Sequence, residues 1–424
     1  MARMIVAGGY PLSGTLRITG AKNAALPILA ASLLGDIVCL EDCPRILDVA
    51  NMLDILSALG VEIRWEDDLL FLDARQARGC VMPQRLSKEV RSSIFMLGPL
   101  LTRYGCAVCT YPGGCEIGHR PIDLHLRGLS LLGVEIREEH GQIICDGRNM
   151  RPAEIHLDYP SVGATENIMM AAVELEGESV IFNAAREPEI VDLQNFLGAL
   201  GYHVEGAGNS TIRIRGCKTQ RPPVRYRIMP DRIVAGTLLC AAAITGGELT
   251  LENAVTGHID AVLSKLREAG CMAISTKNRI FLSAPERPEE IKLIETLPYP
   301  GFPTDMQSQM FALCTLCRGT SIIVENVFEN RFKHAAELAR MGAVFTQKDR
   351  TIIVRGAEQL SGATVCAHDL RGGAALVLAG LRAKGTTVVQ NAELIDRGYE
   401  KLDVMLQQLG AHLWREDDEK GTNA

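Results

Sequence analysis

Apolar residues crowd into a series of similar stretches: AALPILAASLL (Ala24 to Leu34), ENIMMAAVELE, AGTLLCAAAIT, SQMFALCTLC and AALVLAGLRA. Each reads as an apolar helix followed by a Gly-containing turn and a short strand, of which SVIFNA, ELTLENA, SIIVENV and TTVVQNA are four. A loop, a second, amphipathic helix and a strand pair come next. The second helices end in matching phrases, SALGVEI, SLLGVEI, GALGYHV, REAGCMA, ARMGAVF and QQLGAHL. Their glycines, Gly60, Gly133, Gly201, Gly270, Gly342 and Gly410, are spaced by 73, 68, 69, 72 and 68 residues. A glycine closing a helix fits a left-handed C-cap, because glycine alone adopts positive φ without steric cost. The pattern predicts an α/β chain built from six β-α-β-α-β-β units.

A period this long is not that of a solenoid. At 424 residues the chain exceeds what one hydrophobic core holds, so six units suggest two domains of three, each unit a small sheet covered by its two helices. The Pro-Pro and polar run CKTQRPPVRYRIMPDR, Cys217 to Arg232, is the best linker candidate. Met1 to Gly20 fall outside the first complete helix pair, which assigns them to the second domain.

Charge narrows the partners. Lysine and arginine number 44 against 51 acidic residues, a net charge of −7, so no general basic surface for nucleic acid is expected and any anion must be held locally. The opening MARMIVAGGY is too short in apolar residues for a signal peptide, and Ala24 to Leu34 is too short for a membrane span. The expectation is a cytoplasmic protein, disordered only in the polar tail from Arg415 to Ala424. The thirteen cysteines are expected as reduced thiols. Two C-x-x-C pairs, Cys106/Cys109 in GCAVCTY and Cys314/Cys317 in MFALCTLC, lack the surroundings of a zinc knuckle and read as buried apolar cysteine, so no metal is expected.

Several helices open with a cation: Lys22, Arg91, Arg120, Arg232 and Arg371. Positive charge there opposes the helix dipole and costs up to ~1 kcal/mol each. One such cation is explained by a surface carboxylate; five in an acidic chain point to bound anions, which free backbone N–H groups and guanidinium forks suit. In YPSVGATENIMM, Ser161 is a candidate N-cap and Gly163 permits close backbone approach. In YPGFPTDMQSQMF, Thr304 and Gln307 have capping-box spacing, which by itself accounts for Asp305.

The stretch YPGGCEIGHRPIDLH, Tyr111 to His125, sets Cys115 among glycines beside Arg120. A thiol on such a loop is better placed for chemistry than one in an apolar strand, since cations lower its pKa and bound anions raise it. An inert loop thiol is the other reading.

Taken together, GAKNAALPILAA, residues 111 to 125, SVGATENIM, NAAREPEIVDL, GFPTDMQ, VFENRF, DLR and IDRGYEKLD resemble the UDP-N-acetylglucosamine 1-carboxyvinyltransferase family of enolpyruvyl transferases, essentially end to end. The resemblance implies a two-domain inside-out α/β barrel, three repeats per domain, with substrates in the cleft. One domain would be 22–229 and the other 1–21 plus 230–424. It implies enolpyruvyl transfer from phosphoenolpyruvate to the 3-hydroxyl of UDP-N-acetylglucosamine, the first committed step of peptidoglycan synthesis, with no cofactor. By the same resemblance Cys115 is the general acid on a closing lid, and Asp305 the base or proton relay. Lys22, Arg91, Arg120, Arg331, Arg371 and Arg397 line the anion site, with Lys22 and Arg397 among the catalytic groups. Asn23, Pro121, Ile122, Asp123, Leu124 and His125 match positions that hold the UDP-sugar, as do Ser161, Val162, Gly163, Glu187, Val327 and Asp369.

Two departures stand out. Tyr159-Pro160 replaces a lysine that some members carry before Ser-Val-Gly, and Gly372-Gly373 replaces Ala-Ser, suggesting more mobility at that helix start. A silent UDP-sugar-binding paralogue and a cysteine hydrolase using His119 or His125 remain as alternatives. Oligomeric state is not readable from the sequence.

Overall fold

The computed structural model describes residues 2–89, 91–113 and 122–417. They form two compact units, 2–18 with 230–417 and 19–113 with 122–229. Each unit contains three small sheets; five of the six are four-stranded and one, built on Cys106–Thr110, is three-stranded.

The repeat is visible in the pairing. Glu154–His156 runs parallel to Gly177–Phe182 across the Val162–Ala172 helix, and Leu293–Glu295 parallel to Thr320–Val324 across the Gln307–Cys314 helix. The second helix of each unit then leads into an antiparallel hairpin such as Val344–Lys348 with Thr351–Arg355. All six predicted capping glycines have positive φ, from 86° at Gly270 to 97° at Gly342. A side chain there would be strained, so the sequence signal and the backbone requirement coincide.

Two units borrow their first strand from a distant part of the chain. Ser13–Arg17 pairs parallel with Glu248–Glu252, and Val224–Arg227 pairs parallel with Ile37–Glu41. The segment expected as a linker therefore contains a strand, and its last residues, Asp231 and Arg232, cap and open the Arg232–Thr245 helix. Backbone N–H and C=O groups of a polar, proline-containing run still need partners, and an open sheet edge supplies them.

The apolar helices do not cover the sheets as one layer of a pair. In the unit containing 230–417, the Arg232–Thr245, Gln307–Cys314 and Leu370–Arg382 helices pack on one another at the centre. Every residue of Ile233–Thr245 and of Gln307–Cys314 is buried. A helix that is apolar on all sides must be surrounded, while strands that alternate, as in Thr351–Arg355 with Ile352 and Val354 buried and Ile353 exposed, leave one face wet. The sheets thus lie outside and the helices inside, the arrangement of an inside-out barrel. Each fully buried Leu or Ile contributes roughly 1.5–3 kcal/mol.

Not all cysteines are free. Cys80 and Cys106 form a disulfide, with Cα atoms 5.8 Å apart, which corrects the expectation that every thiol is reduced. A separation of 26 residues gave no sequence signal for the pair; a parallel bridge between Val81 and Val108 brings the two segments together. Cys109 and Cys145 are buried thiols pushed up to about 12 by desolvation, and Cys314 and Cys317 are buried as well. Among the described residues no helix is long and apolar enough to cross a membrane.

Candidate active site

In the unit that includes Pro230 onward, Asp305 lies in a 3-10 turn, Thr304–Met306, at the start of the buried Gln307–Cys314 helix. The expected capping box is not formed. Thr304 instead donates its hydroxyl to Glu325 Oε2 at 3.0 Å. Glu325 is fully buried and collects three more donors: the Thr296 hydroxyl at 2.9 Å and the backbone N–H groups of Val327 and Phe328 at 2.8 and 3.1 Å. One carboxylate thereby ties the Val327 turn to the Asp305 turn, because a buried charge is stable only when hydrogen-bonded.

Freed from capping, Asp305 stands between two guanidinium groups. Arg331 Nη2 is 2.8 Å from its Oδ1 and Arg371 Nη2 is 3.2 Å from its Oδ2. The two arginine side chains are 3% exposed and the carboxylate 24%, so the acid is the accessible member of the cluster. Two planar guanidinium groups converge on one carboxylate, with Asp231 and Asp369 also close to Arg371, and their forked N–H donors suit an oxyanion. Arg371 is stacked over the Tyr399 ring at 5.1 Å and Arg331 over Phe328 at 5.7 Å. Asp369 caps the Leu370–Arg382 helix, its Oδ1 accepting the N–H groups of Arg371 and Gly372 at 3.0 Å each. Asp369 acts here through the helix that carries Arg371.

His334 is buried between these elements. Burial pushes it down to about 4 against the opposing pull of Asp369, so it is neutral at pH 7. The two glycines at 372 and 373 are not a mobile patch. A Cβ on Gly372 would lie 2.9 Å from Asp369 Oδ2 and 3.1 Å from His334 Cβ; one on Gly373 would lie 2.9 Å from Ile395 Cγ1. A side chain at either position would crowd its neighbours. Arg397 ends the Ala392–Arg397 turn and is partly exposed.

The other unit presents a second set at helix starts. Lys22 opens the Lys22–Ala31 helix with Asn23 beside it, and its Nζ is 2.6 Å from Asp48 Oδ2, a carboxylate that is itself buried. Arg91 opens a 3-10 turn, Arg91–Met96. Ile122 is buried ahead of the Asp123–Leu131 helix, whose first turn carries Asp123, Leu124 and the buried His125. Ser161 caps the Val162–Ala172 helix, its Oγ accepting the Ala164 N–H at 3.4 Å, with Val162 and Gly163 in the first turn. Glu187 immediately precedes the Pro188–Ala199 helix. The calls on Cys115, Arg120 and Pro121 fall outside the described residues.

Sequence reasoning missed Glu325, His334, Tyr399, Asp48 and Glu166. Glu166 is fully buried, neither carboxylate oxygen is hydrogen-bonded among the described residues, and burial followed by the charges of Glu189 and Glu187 raises its pKa well above the carboxylate range. None of these has a local signal; each matters through a neighbour distant in sequence.

The chain matches the family described as EPSP synthase (3-phosphoshikimate 1-carboxyvinyltransferase) over residues 6–406. It is 49% identical over 416 residues to UDP-N-acetylglucosamine 1-carboxyvinyltransferase 2 of Caldanaerobacter subterraneus subsp. tengcongensis, covering 98% of this chain and 100% of that one. It is 51% identical over 421 residues to UDP-N-acetylglucosamine 1-carboxyvinyltransferase 1 of Symbiobacterium thermophilum, covering 97% and 95%. Among solved structures, the enolpyruvyl transferase NikO from Streptomyces tendae superposes with a TM-score of 0.86 at 24% identity, covering 98% of both chains, which speaks to fold. With relatives of that identity matched over nearly their whole length, the chain belongs to the UDP-N-acetylglucosamine 1-carboxyvinyltransferase family of enolpyruvyl transferases.

Proposed function

We infer that the protein transfers the enolpyruvyl group of phosphoenolpyruvate to the 3-hydroxyl of UDP-N-acetylglucosamine and releases phosphate, the first committed step of peptidoglycan synthesis. The observation that carries this is the 49–51% identity over nearly the full chain to relatives of that name. Asp305 held between Arg331 and Arg371 supports it. Two phosphorylated substrates that do not cross membranes fit a cytoplasmic enzyme, and the chemistry needs no cofactor.

The reaction adds a proton to the methylene carbon of phosphoenolpyruvate while the sugar oxygen attacks C2. The tetrahedral adduct then loses phosphate from C2 and a proton from the new methyl group. An acid, a base and cations for the phosphate and carboxylate are therefore required. Cys115 is our general acid and Asp305 the group that takes the hydroxyl proton. Lys22, Arg120 and Arg397 are assigned to the substrate anions with Arg331 and Arg371. Arg91, Asn23, the 121–125 segment, Ser161 to Gly163, Glu187 and Val327 are assigned to the UDP-sugar. The domains we assign to these two groups are 22–229 and 1–21 plus 230–424.

The test is phosphate release with each substrate omitted in turn, beside Cys115→Ala and Cys115→Asp. Release that needs both substrates, falls at least ~100-fold in the alanine variant and persists in the aspartate variant is the expected result. Full activity of Cys115→Ala would remove the thiol from the mechanism. UDP-sugar binding without phosphate release by the unaltered protein would overturn the transferase reading.

A further inference from the structure

Asn167 is fully buried in the Val162–Ala172 helix, and its carboxamide is held by two main-chain groups of fixed polarity. The Gly98 N–H donates to Oδ1 at 2.9 Å, and Nδ2 donates to the Ile94 carbonyl at 2.8 Å. Turning the amide over would set N–H against N–H and C=O against C=O, so its orientation is determined. Nδ2 also lies 2.8 Å from Nδ1 of His125. A ring nitrogen facing an amide donor must accept, so Nδ1 carries no proton and the neutral imidazole carries its hydrogen on Nε2.

The remaining surroundings agree. Burial, reinforced by the positive charge of Arg91, pushes His125 down to about 3, and Arg91 is the charged group acting on the ring among the described residues. The edge of the ring that bears the donor abuts the first turn of the Val162–Ala172 helix. A Cβ on Gly163 would stand 3.0 Å from Nε2 and 2.8 Å from Cε1. The helix that carries His125 packs closely on the same partner at Gly128, where a Cβ would lie 2.3 Å from Ile168 Cδ1.

We propose that Asn167 is a positioning residue: it holds His125 as the neutral Nε2–H tautomer, a hydrogen-bond donor beside Ser161 to Gly163 that helps recognise the diphosphate of the UDP-sugar. The role rests on the transferase reading above; the tautomer does not. A neutral donor binds an anion without adding a charge that titrates near neutrality, so affinity for the nucleotide is insulated from pH changes that would switch an ordinary histidine.

The experiment is 15N-imidazole NMR of the full-length protein, with the His125 signal identified among nine histidines by its loss in His125→Gln. We expect the neutral Nε2–H pattern, unchanged from about pH 5 to about pH 8. A proton on Nδ1, or ordinary titration in that range, would overturn the assignment. Asn167→Asp replaces the donor by an acceptor and should move the proton to Nδ1, raising KM for UDP-N-acetylglucosamine about tenfold while KM for phosphoenolpyruvate changes less than about threefold. A switched tautomer with unchanged KM would overturn the positioning role; if the variant does not fold, the unaltered protein still decides the tautomer. A titrating His125 in a protein that turns over both substrates defeats this inference alone. The Nε2–H tautomer in a protein that releases no phosphate defeats the transferase reading and the donor's role with it.

Discussion

A carboxyl group's environment decides its character, and three acids in this chain show the range. Glu325 meets four donors, Asp305 meets two guanidiniums, and Glu166 meets no donor among the described residues. Glu166 is therefore held protonated, by burial first and by Glu189 and Glu187 next. Its folded pKa lies above its unfolded one, so it favours the native state below the ordinary carboxyl range and that contribution is lost as pH rises. Glu166→Gln, which cannot ionise, should therefore be more stable than the parent by about 1 kcal/mol or more near pH 8, with the gap closing toward about pH 4. Urea unfolding at the two pH values measures this; a gap independent of pH would mean that Glu166 does not titrate with unfolding.

Elements here carry their charges on helix starts that are anchored by capping and close packing. The Leu370–Arg382 helix shows both, through Asp369 at its cap and Gly372 and Gly373 in its first turn. In an open helix a Gly→Ala change adds up to ~1 kcal/mol of stability. At Gly373 the new methyl would press on Ile395 and Ala367 at 2.9 and 3.0 Å, so Gly373→Ala should destabilise by about 1–2 kcal/mol instead and displace Arg371. The expected signature is a lowered urea midpoint together with a raised KM for phosphoenolpyruvate. A stabilised variant of normal KM would show that the helix start has room.

For the molecule as a whole, one covalent link lies beyond what packing requires. The Cys80–Cys106 disulfide closes a loop ahead of the Cys106–Thr110 strand, and a bridge of that span contributes roughly 2–4 kcal/mol by restricting the unfolded chain. Thiol titration of the unfolded, unreduced protein should find thirteen cysteines less this pair. Cys80→Ser should lower stability under oxidising conditions and leave it unchanged once the parent is reduced. Equal loss in both conditions would assign the effect to packing.

Much of this organisation was written locally. Six glycines at a period near seventy residues marked six units because a left-handed C-cap is made within the last turn of a single helix, as in Gly60 N–H to Ser57 O and Val61 N–H to Leu56 O. Cations at Lys22, Arg91, Arg232 and Arg371 were legible as helix openers for the same reason. Local pattern misled where a local explanation sufficed but a distant partner won. Thr304 had capping-box spacing and went to Glu325; Val224–Arg227 looked like linker and joined the Ile37–Glu41 strand; Gly372 looked loose and is crowded by His334. The amino-acid sequence by itself determined the repeat, the helix starts and the family. Only the tertiary structure decided that Asp305 faces two arginines and that Asn167 fixes the proton on His125, because hydrogen-bond partners, burial and charge pairing depend on distances between residues 26 to 73 positions apart along the chain.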